Sequence, residues 1–227
     1  MILITGHKGY IGSLLYQKLG GVGIDLQDGL NLLTCDLPKE ISIIYHLAAQ
    51  SFVEASHKDQ LHDLDNIRIT ARLVKAYPNA RIIYTNSAAA RQPFMSPYGF
   101  SKWASAEYLQ SFHRDYVICT LPNVYGRNNK SVVDIFKNDI RVTVYGDGKQ
   151  TRDFVHVDDI VEGLVKAKDW PTGEYELGSG IATSVSQLAH GKMVDFQPAR
   201  EEIRESVLQN TTPDWKPIIQ VLDYLND

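Results

Sequence analysis

The chain of 227 residues contains 44% hydrophobic and 22% charged residues, as in an ordinary soluble globular protein with one large core or one core and a smaller appendage. Its net charge of −4 argues against a general nucleic-acid binder, and the sequence has no basic run or apolar stretch of the kind that binds or crosses a membrane. Met1 leads directly into an apolar strand, and the two cysteines, Cys35 and Cys119, form no paired motif. We therefore expect a cytoplasmic protein with reduced thiols and no metal site.

The first element combines a short strand with a glycine-rich turn. Residues 2–5 are apolar and β-rich, and residues 13–19 have apolar positions at helical spacing. Strand, glycine turn and helix in this order place a helix N-terminus against a pyrophosphate group. Gly6 permits the tight turn, Gly9 lets the backbone approach a phosphate, and Gly12 lets the helix pack on the strand. We predict that a dinucleotide cofactor is bound by the residues of this turn, which are Gly6, Lys8, Gly9, Tyr10, Ile11 and Gly12.

A second short strand, residues 22–25, ends in an acid. Asp25 follows Gly6 by nineteen residues. This is close to the spacing of about 20 at which a carboxylate accepts hydrogen bonds from the adenosine ribose. The negative charge repels a 2′-phosphate and favours NAD over NADP, whereas Lys8 in the glycine turn argues mildly for tolerance of that phosphate. Asp36 is predicted to accept a hydrogen bond from the adenine amino group, with a helix or turn cap as the alternative.

The alternation of strands and helices continues downstream. Residues 26–36 are too short for a helix, so a buried strand follows almost directly at 41–49. It ends in residues that leave room for a cofactor, namely Leu47, Ala48 and Ala49. His46 is expected to be a structural histidine rather than a catalyst. A helix is predicted over residues 61–77, and its Asn66 either contacts the cofactor or makes an internal polar contact.

The candidate catalytic group is Ser87, Tyr98 and Lys102. Tyr98 and Lys102 are four residues apart in a helix predicted over 98–114, so they share one face. A lysine ammonium beside a phenol stabilises the phenolate, so we expect the pKa of Tyr98 to fall from about 10 toward neutrality and make it a general acid and base. Ser87, which follows a strand at 81–85, directs its hydroxyl at the same reacting oxygen. Taken alone, this spacing also fits a surface pair on an ordinary helix.

The second half of the chain repeats the same alternation. Strands are predicted over residues 116–121, 142–145, 154–157 and 174–177, and helices over 160–168 and 185–190. This rhythm predicts an α/β fold with a Rossmann-type, doubly wound parallel sheet. Its ligand is expected at the carboxyl ends of the strands, which are followed by Gly6, Ala48, Ser87 and Asn123.

Several longer motifs together point to one protein family. They are residues 5–12 (TGHKGYIG), 46–53 (HLAAQSFV), 66–70 (NIRIT), 98–102 (YGFSK), 123–126 (NVYG) and 146–158 (GDGKQTRDFVHVD). Through them nearly the whole chain resembles the extended short-chain dehydrogenase/reductases, in particular the NAD-dependent nucleotide-sugar epimerase/dehydratase family. The resemblance implies NAD as cofactor, a nucleotide-sugar substrate, and Ser87, Tyr98 and Lys102 as catalytic residues. It also implies a homodimer that pairs through the helices around Asn66 and Tyr98. Apolar residues of these helices fit such an interface or, equally, the chain's own core; they are Leu61, Leu64, Trp103 and Leu109.

The resemblance also implies a substrate-binding portion. In this family the arginine at position 152 of this chain reaches the substrate diphosphate, as do Asn123 and a later arginine that is similar to Arg200; Ser51 is assigned to the substrate as well. Guanidinium groups suit phosphate oxygens, although Arg200 equally fits a surface salt bridge. The expected domains are an NAD-binding Rossmann domain of residues 1–122 with 150–178, and a reduced substrate-binding domain of residues 123–149 with 179–227.

Departures from the family pattern bear on the reaction. The chain is shorter than the family usually is, with trimmed segments after Asp25, between Ser87 and Tyr98, and between Asn123 and Gly146. The substrate pocket is therefore either open or completed in part by a second subunit. Ala88 and Ala89 stand where family dehydratases carry an Asp-Glu pair. This argues against elimination and favours epimerisation at C4 of a UDP-sugar through a 4-keto sugar. The alternatives are a reductase of nucleotide-4-keto-sugars and a catalytically silent, NAD-sensing binding protein.

Overall fold

A computed structural model describes residues 1–51, 61–127, 131–199 and 204–226, with residues 61 and 62 described by their backbone only. The chain divides into two compact units, Met1–Thr120 with Leu164–Tyr175 and Leu121–Gly163 with Glu176–Asp227. The domain boundaries expected from the sequence differ from these units chiefly in residues 150–163, and the functional division of the chain stays a prediction.

The elements follow the predicted alternation. The described strands are β1 (Ile2–Thr5), β2 (Val22–Ile24), β3 (Ile43–His46), β4 (Arg81–Ser87), β5 (Tyr116–Leu121), β6 (Asn123–Tyr125), β7 (Arg141–Tyr145), β8 (Thr151–Arg152), β9 (Phe154–His156), β10 (Gly173–Glu176), β11 (Thr183–Ser184), β12 (Met193–Gln197) and β13 (Glu205–Ser206). The described helices are α1 (Tyr10–Leu19), α2 (Leu61–Ala76), α3 (Pro97–Phe112), α4 (Val132–Asn138), α5 (Val157–Ala167), α6 (Val185–Leu188) and α7 (Val221–Asn226). Among the described residues, no helix is long and apolar enough to cross a membrane.

The first unit is built on a six-stranded sheet in the order β10-β5-β4-β3-β1-β2. Strand β1 pairs in parallel with β2 on one side and with β3 on the other. The chain therefore builds outward from β1 to β2, returns to the other side of β1, and continues through β3 and β4. This is the doubly wound arrangement, and it confirms the predicted α/β fold. The point where the winding reverses lies between β1 and β3, which is where open α/β sheets bind ligands.

The sheet is buried through its apolar strand residues. Leu3 on β1 lies opposite Ile44 on β3, and Ile44 lies opposite Ile82 on β4. These three side chains and Ile118 on β5 are at most 1% exposed. Strands that are apolar on both faces are typical of parallel sheets covered by helices, and this explains why these segments are continuous apolar runs in the sequence.

The second unit consists of short strand pairs around its own core. Strand β6 pairs in parallel with β9, β7 pairs with β12, and β8 lies between β11 and β13. The core includes Tyr125, Phe136 and Phe154. Asp159 on α5 accepts hydrogen bonds from the backbone amides of residues 218 and 219, both at 2.9 Å, and thereby holds the C-terminal segment.

His46 is a structural residue that connects three elements of the first unit. Its Nδ1 lies 2.9 Å from the Thr5 hydroxyl on β1, and its Nε2 lies 3.1 Å from the Thr70 hydroxyl on α2. The ring is 1% exposed. Burial, aided by the Lys102 charge, lowers its pKa from 6.5 to about 3. The histidine is therefore neutral in the fold at neutral pH. Its burial and its two hydrogen bonds fit the structural role that the sequence predicted for a histidine at the end of an apolar strand.

We predict that His46 makes the fold sensitive to acid. Because its pKa in the fold lies below the unfolded value, protonation favours the unfolded chain, so stability is complete above pH 6.5 and is lost as the pH falls from 6.5 toward about 3. Between pH 7 and pH 5 this single group is expected to remove about 2 kcal/mol from the free energy of unfolding. In a His46→Asn variant, the drop in the free energy of unfolding between pH 7 and pH 5, measured by urea unfolding, should be smaller by about this amount. The exposed His190, changed to Asn, is the matched control and should keep the wild-type sensitivity.

Candidate active site

The glycine turn lies at the point where the winding of the sheet reverses. Gly6 follows β1 with a φ of +73°, and its amide donates to the Ile24 carbonyl of β2 at 2.8 Å. A Cβ at Gly6 would lie 2.8 Å from the Ala48 amide nitrogen, beyond the end of β3, and a Cβ at Gly12 would lie 2.0 Å from the Gly6 carbonyl oxygen. Neither position accepts a side chain without displacing backbone. The turn is thus held tightly between β1, β3 and the start of α1.

Helix α1 begins directly beyond this turn. Its N-cap is Gly9, which supplies no side-chain hydrogen bond, and the helix has ten residues, starting with Tyr10 and Ile11. A Cβ at Gly9 would lie 3.1 Å from the Gly6 carbonyl oxygen. The first amides of an α-helix have no partner within the helix and carry its positive end. The cradle formed by the backbone of the glycine turn and the helix N-terminus fits the pyrophosphate of a dinucleotide.

Asp25 lies beside the glycine turn, as its spacing predicted. Its two carboxylate oxygens accept the amide of Lys8 at 3.0 Å and the amide of Gln27 at 2.9 Å. These bonds fix the orientation of the carboxylate. Each oxygen of an ionised carboxylate accepts more than one hydrogen bond, so the ribose hydroxyls of a bound cofactor still have acceptors here.

The segment after β3 is fixed from two sides. The Ala48 amide donates to the Thr5 hydroxyl at 3.2 Å. Asn66 on α2 accepts from the Gln50 amide at 2.8 Å and donates to the Ser101 hydroxyl of α3 at 3.0 Å. Asn66 therefore makes the internal polar contact that was one of its two predicted roles. Its contact with a cofactor, like those of Leu47, Ala48 and Ala49, stays a prediction.

Ser87 and Tyr98 are brought together by the end of β4 and the start of α3. Ser96 caps α3 by accepting the Gly99 amide at 3.0 Å, and Pro97 occupies its first turn. This start places Tyr98 in the first turn, 9% exposed, with its phenol hydrogen-bonded to the Ser87 side chain. The Ser87 hydroxyl also accepts the Ala89 amide at 3.2 Å. The predicted serine–tyrosine pair therefore exists in the structure.

Lys102 lies one helical turn beyond Tyr98 and is 3% exposed. Its ammonium donates to the Thr85 carbonyl at 2.5 Å and lies 4.2 Å from the centre of the Tyr84 ring. Burial lowers the pKa of Lys102 to about 7. The lysine thus faces the end of β4, where Ser87 is also found, and it shares the buried face of α3 with Tyr98.

The expected shift in the pKa of Tyr98 was wrong for this structure. Burial raises the pKa of Tyr98, the Ser87 hydrogen bond opposes that rise, and the negative charge of Asp63 adds to it. The sequence argument counted the attraction of Lys102 but could not include the loss of water around the phenol or the position of Asp63. Asp63 is 1% exposed on α2, and no motif in the sequence pointed to it.

Five further residues were predicted to belong to the site. Asp36 and Ser51 are exposed residues of the first unit. Asn123 and Arg152 belong to the second unit. There the side-chain amide of Asn123 donates to the Asp153 carbonyl at 3.2 Å, and the Arg152 guanidinium donates to the Thr151 carbonyl at 2.8 Å. Arg200 lies outside the described residues. The roles assigned to these five residues stay predictions.

Three polar residues that support the site were missed in the sequence. Thr5, Thr85 and Ser101 are all buried and place Ala48, Lys102 and Asn66, respectively, through the hydrogen bonds described above. Thr85 acts through its backbone carbonyl, which leaves no trace in the residue type. In residues 1–51, 61–127, 131–199 and 204–226, no group of three or more His, Cys, Asp or Glu side chains is arranged to hold a metal ion.

Comparison with known proteins agrees with this geometry. The family model for the NAD dependent epimerase/dehydratase family matches residues 2–178. The UDP-glucose 4-epimerase of Mycolicibacterium smegmatis is 29% identical over 298 aligned positions, covering 97% of this chain and 95% of that protein. The dTDP-D-glucose 4,6-dehydratase of Homo sapiens is 28% identical, covering 83% of this chain and 59% of that protein.

A solved structure shows the same fold. The UDP-glucose 4-epimerase of Thermotoga maritima, determined with UDP-glucose, superposes with a TM-score of 0.80 at 25% identity, covering 99% of this chain and 96% of that chain. The family match extends from β1 through β10 and includes the glycine turn, Asp25, Ser87, Tyr98 and Lys102. The chain therefore belongs to the NAD-dependent epimerase/dehydratase family, with a Rossmann-type fold and NAD as its cofactor.

Proposed function

We propose that the protein epimerises a nucleotide-diphosphate sugar at C4, with a UDP-sugar as substrate, through a transient 4-keto sugar. The observation that carries the proposal is the group formed by the half-buried Ser87 and the buried Tyr98 and Lys102 in the same unit as the dinucleotide cradle. A phenol hydrogen-bonded to a serine and followed by a buried lysine is suited to moving one proton to and from a sugar hydroxyl.

Each protein group has one task in this reaction. Tyr98 accepts the proton of the 4-hydroxyl while the hydrogen on C4 leaves as hydride, which converts the C–OH group into a ketone. Ser87 donates a hydrogen bond to the same oxygen as its charge develops. Lys102 is assigned to the nicotinamide ribose. NAD, held by the glycine turn and Asp25, would supply the hydride acceptor and then the hydride donor. Tyr98 returns the proton to the C4 oxygen, and C4 is inverted when the hydride reaches the other face of the ketone.

Residues 88 and 89 favour epimerisation over elimination. Ser87 is followed by Ala88 and Ala89, which begin a short 3₁₀ turn, Ala88–Arg91. Neither side chain transfers a proton, whereas loss of water from C5 and C6 requires an acid and a base. The 28% identity to a dTDP-D-glucose 4,6-dehydratase therefore does not define the reaction proposed for this chain.

The second part of the proposal concerns the residues that contact the substrate and the cellular compartment of the enzyme. Arg152, Asn123 and Arg200 are assigned to the diphosphate and Ser51 to the substrate without further detail, in a cytoplasmic enzyme whose second unit binds the substrate. These assignments come from the family resemblance. They are supported by the chemistry of guanidinium groups, which form paired hydrogen bonds with phosphate oxygens.

Two other functions share these features. A reductase of nucleotide-4-keto-sugars would use the same three residues but would consume NADH. A silent NAD-sensing protein would bind the cofactor and leave every sugar unchanged. The preserved Ser87–Tyr98 hydrogen bond favours an enzyme over a sensor, because binding alone does not require it.

We expect the wild type, supplied with NAD and no reductant, to convert UDP-glucose or UDP-N-acetylglucosamine into its C4 epimer. Proton NMR should show new galacto-type anomeric signals. In a Tyr98→Phe variant, removal of the hydroxyl should slow this conversion by at least about a hundredfold, the usual size of a general acid–base contribution. NADH fluorescence measures whether the cofactor is still bound.

Tyr108→Phe is the matched control for this experiment. Tyr108 is a half-buried tyrosine on the same helix, ten residues beyond Tyr98, and its hydroxyl has no part in the proposed reaction. Equal losses in the two variants would mean that the effect is structural. Unchanged spectra for the wild type, with NADH consumed when a 4-keto sugar is added, would establish the reductase instead, and tight NAD binding without any turnover would establish the sensor.

The alanines after Ser87 lead to a second expectation. With dTDP-glucose, the protein should form no 4-keto-6-deoxy sugar, because it has no acid–base pair at residues 88 and 89. Proton NMR would reveal such a product by a new C6 methyl doublet. Appearance of that doublet would overturn the assignment to epimerases and place the chain with the dehydratases.

We also propose a homodimer through α2 and α3, which pack against each other in the first unit. Leu64 on α2 and Trp103 on α3 are 48% and 36% exposed, and Trp103 forms an exposed aromatic cluster with Phe94 and Phe100. Leu109, which the sequence also suggested for this surface, is fully buried within its own unit. The Leu61 side chain lies outside the described residues.

A charge in this aromatic cluster is expected to separate the subunits. Trp103→Glu should change the sedimentation coefficient from that of a dimer to that of a monomer, because the interface would have to bury an unpaired carboxylate. Phe196→Glu is the control, since Phe196 is an exposed aromatic residue of the second unit. A wild-type protein that sediments as a monomer at micromolar concentration would refute the proposed dimer.

A further inference from the structure

Lys8 is the one lysine or arginine of the glycine turn, and it adjoins the carboxylate assigned to the adenosine ribose. Its backbone amide donates to Asp25 Oδ2 at 3.0 Å. A 2′-phosphate on that ribose would be a doubly charged group beside Asp25, and its binding would require a nearby cation. Lys8 is the cation that this part of the chain offers, so the position of its ammonium bears directly on cofactor choice.

The ammonium of Lys8 is engaged by a second acid. It forms an ion pair with Asp28, and the same carboxylate lies 3.1 Å from His7 Nε2. The side chains of Lys8 and Asp28 are 43% and 28% exposed, so the pair is partly shielded from water and salt. The Asp28 carboxylate thus contacts the side chains of two consecutive residues of the glycine turn, His7 and Lys8.

The backbone around Asp28 is fixed relative to the turn. Asp28 ends the 3₁₀ turn Leu26–Asp28, whose N-cap is Asp25. Within it, Gln27 donates its amide to Asp25 at 2.9 Å and its side-chain nitrogen to the Lys8 carbonyl at 3.4 Å. Asp25, Gln27 and Asp28 thus all connect the short turn after β2 to the glycine turn. These contacts keep Asp28 within reach of the Lys8 ammonium.

We propose that Asp28 is a specificity-determining residue, which disfavours NADP by pairing with the Lys8 ammonium and so withholding that cation from a 2′-phosphate on the adenosine ribose. A 2′-phosphate would then meet the carboxylate of Asp25, while the charge of the nearby cation is already neutralised by Asp28. The proposal explains how a glycine turn that contains a lysine remains compatible with an NAD site. It rests on the assignment of NAD as cofactor and is independent of the sugar and of the reaction.

The test compares four proteins: the wild type, Asp28→Asn, Lys8→Met and the double variant Asp28→Asn/Lys8→Met. Nucleotide that copurifies with each protein is first identified and quantified by chromatography after denaturation. Dissociation constants for NADH and NADPH are then measured by fluorescence titration of nucleotide-free protein. Thermal melting of each variant verifies that the fold is retained.

In Asp28→Asn the released ammonium should favour NADPH. The dissociation constant for NADPH divided by that for NADH should fall by about tenfold, as expected for one ion pair at a partly exposed site. The change should shrink at high salt. The double variant should lose this gain, because its effect depends on the charge of Lys8, and Lys8→Met alone should keep the wild-type preference.

Two results would overturn the proposal. An unchanged ratio in a folded Asp28→Asn protein would mean that the ion pair only fastens the turn. An equal gain in the double variant would mean that loss of negative charge, rather than release of Lys8, improves NADPH binding. Failure of the wild type to bind NADH is a separate result, which would refute the cofactor assignment itself and with it any role of Asp28 in cofactor choice.

Discussion

The close approach between the glycine turn and its neighbours is the constraint on which the rest of the site depends. A side-chain carbon at Gly12 would lie 2.0 Å from the Gly6 carbonyl, and one at Gly6 would lie 2.8 Å from the Ala48 amide. Because the absence of side chains at Gly6 and Gly12 lets these backbone segments approach so closely, the short turn of residues 6–9 is enough to connect β1 to α1. The same closeness lets Lys8 reach Asp25 and Asp28. The cofactor cradle and its acidic border are therefore consequences of one tight turn.

Burial acts on Tyr98 and Lys102 in opposite directions but with the same effect on charge. It raises the pKa of the phenol and lowers that of the ammonium, so both groups are shifted toward their neutral forms. A positive charge entering this site would lower the pKa of Tyr98 again. Since the oxidised nicotinamide ring is positively charged, the proposed general base is expected to gain its basic form only with the cofactor in place.

The sequence predicted the parts of the site that depend on spacing along the chain. The glycine turn, Asp25 and the pairing of Ser87 with Tyr98 follow from motif, period and strand order, and the structure places each where it was expected. The pKa of Tyr98 and the buried position of Leu109 depend on which groups surround them after folding. Desolvation and side-chain partners are set by residues distant in sequence, such as Asp63, and no local pattern reports them.

The shorter chain suggests a distinction between the residues needed for the fold and the proposed chemistry and the segments needed to recognise a particular substrate. The alignment with the mycobacterial epimerase extends over 298 positions, whereas this chain has 227 residues, so the relative contains segments that are missing here. The glycine turn, Asp25 and the Ser87–Tyr98–Lys102 group are nevertheless all present in the first unit. The proposed transfer of hydride and proton needs only these groups, because every hexose presents the same C–OH unit to them. In that proposal, recognition of one particular sugar depends on contacts outside this set, and there a shorter chain has room to differ from its longer relatives.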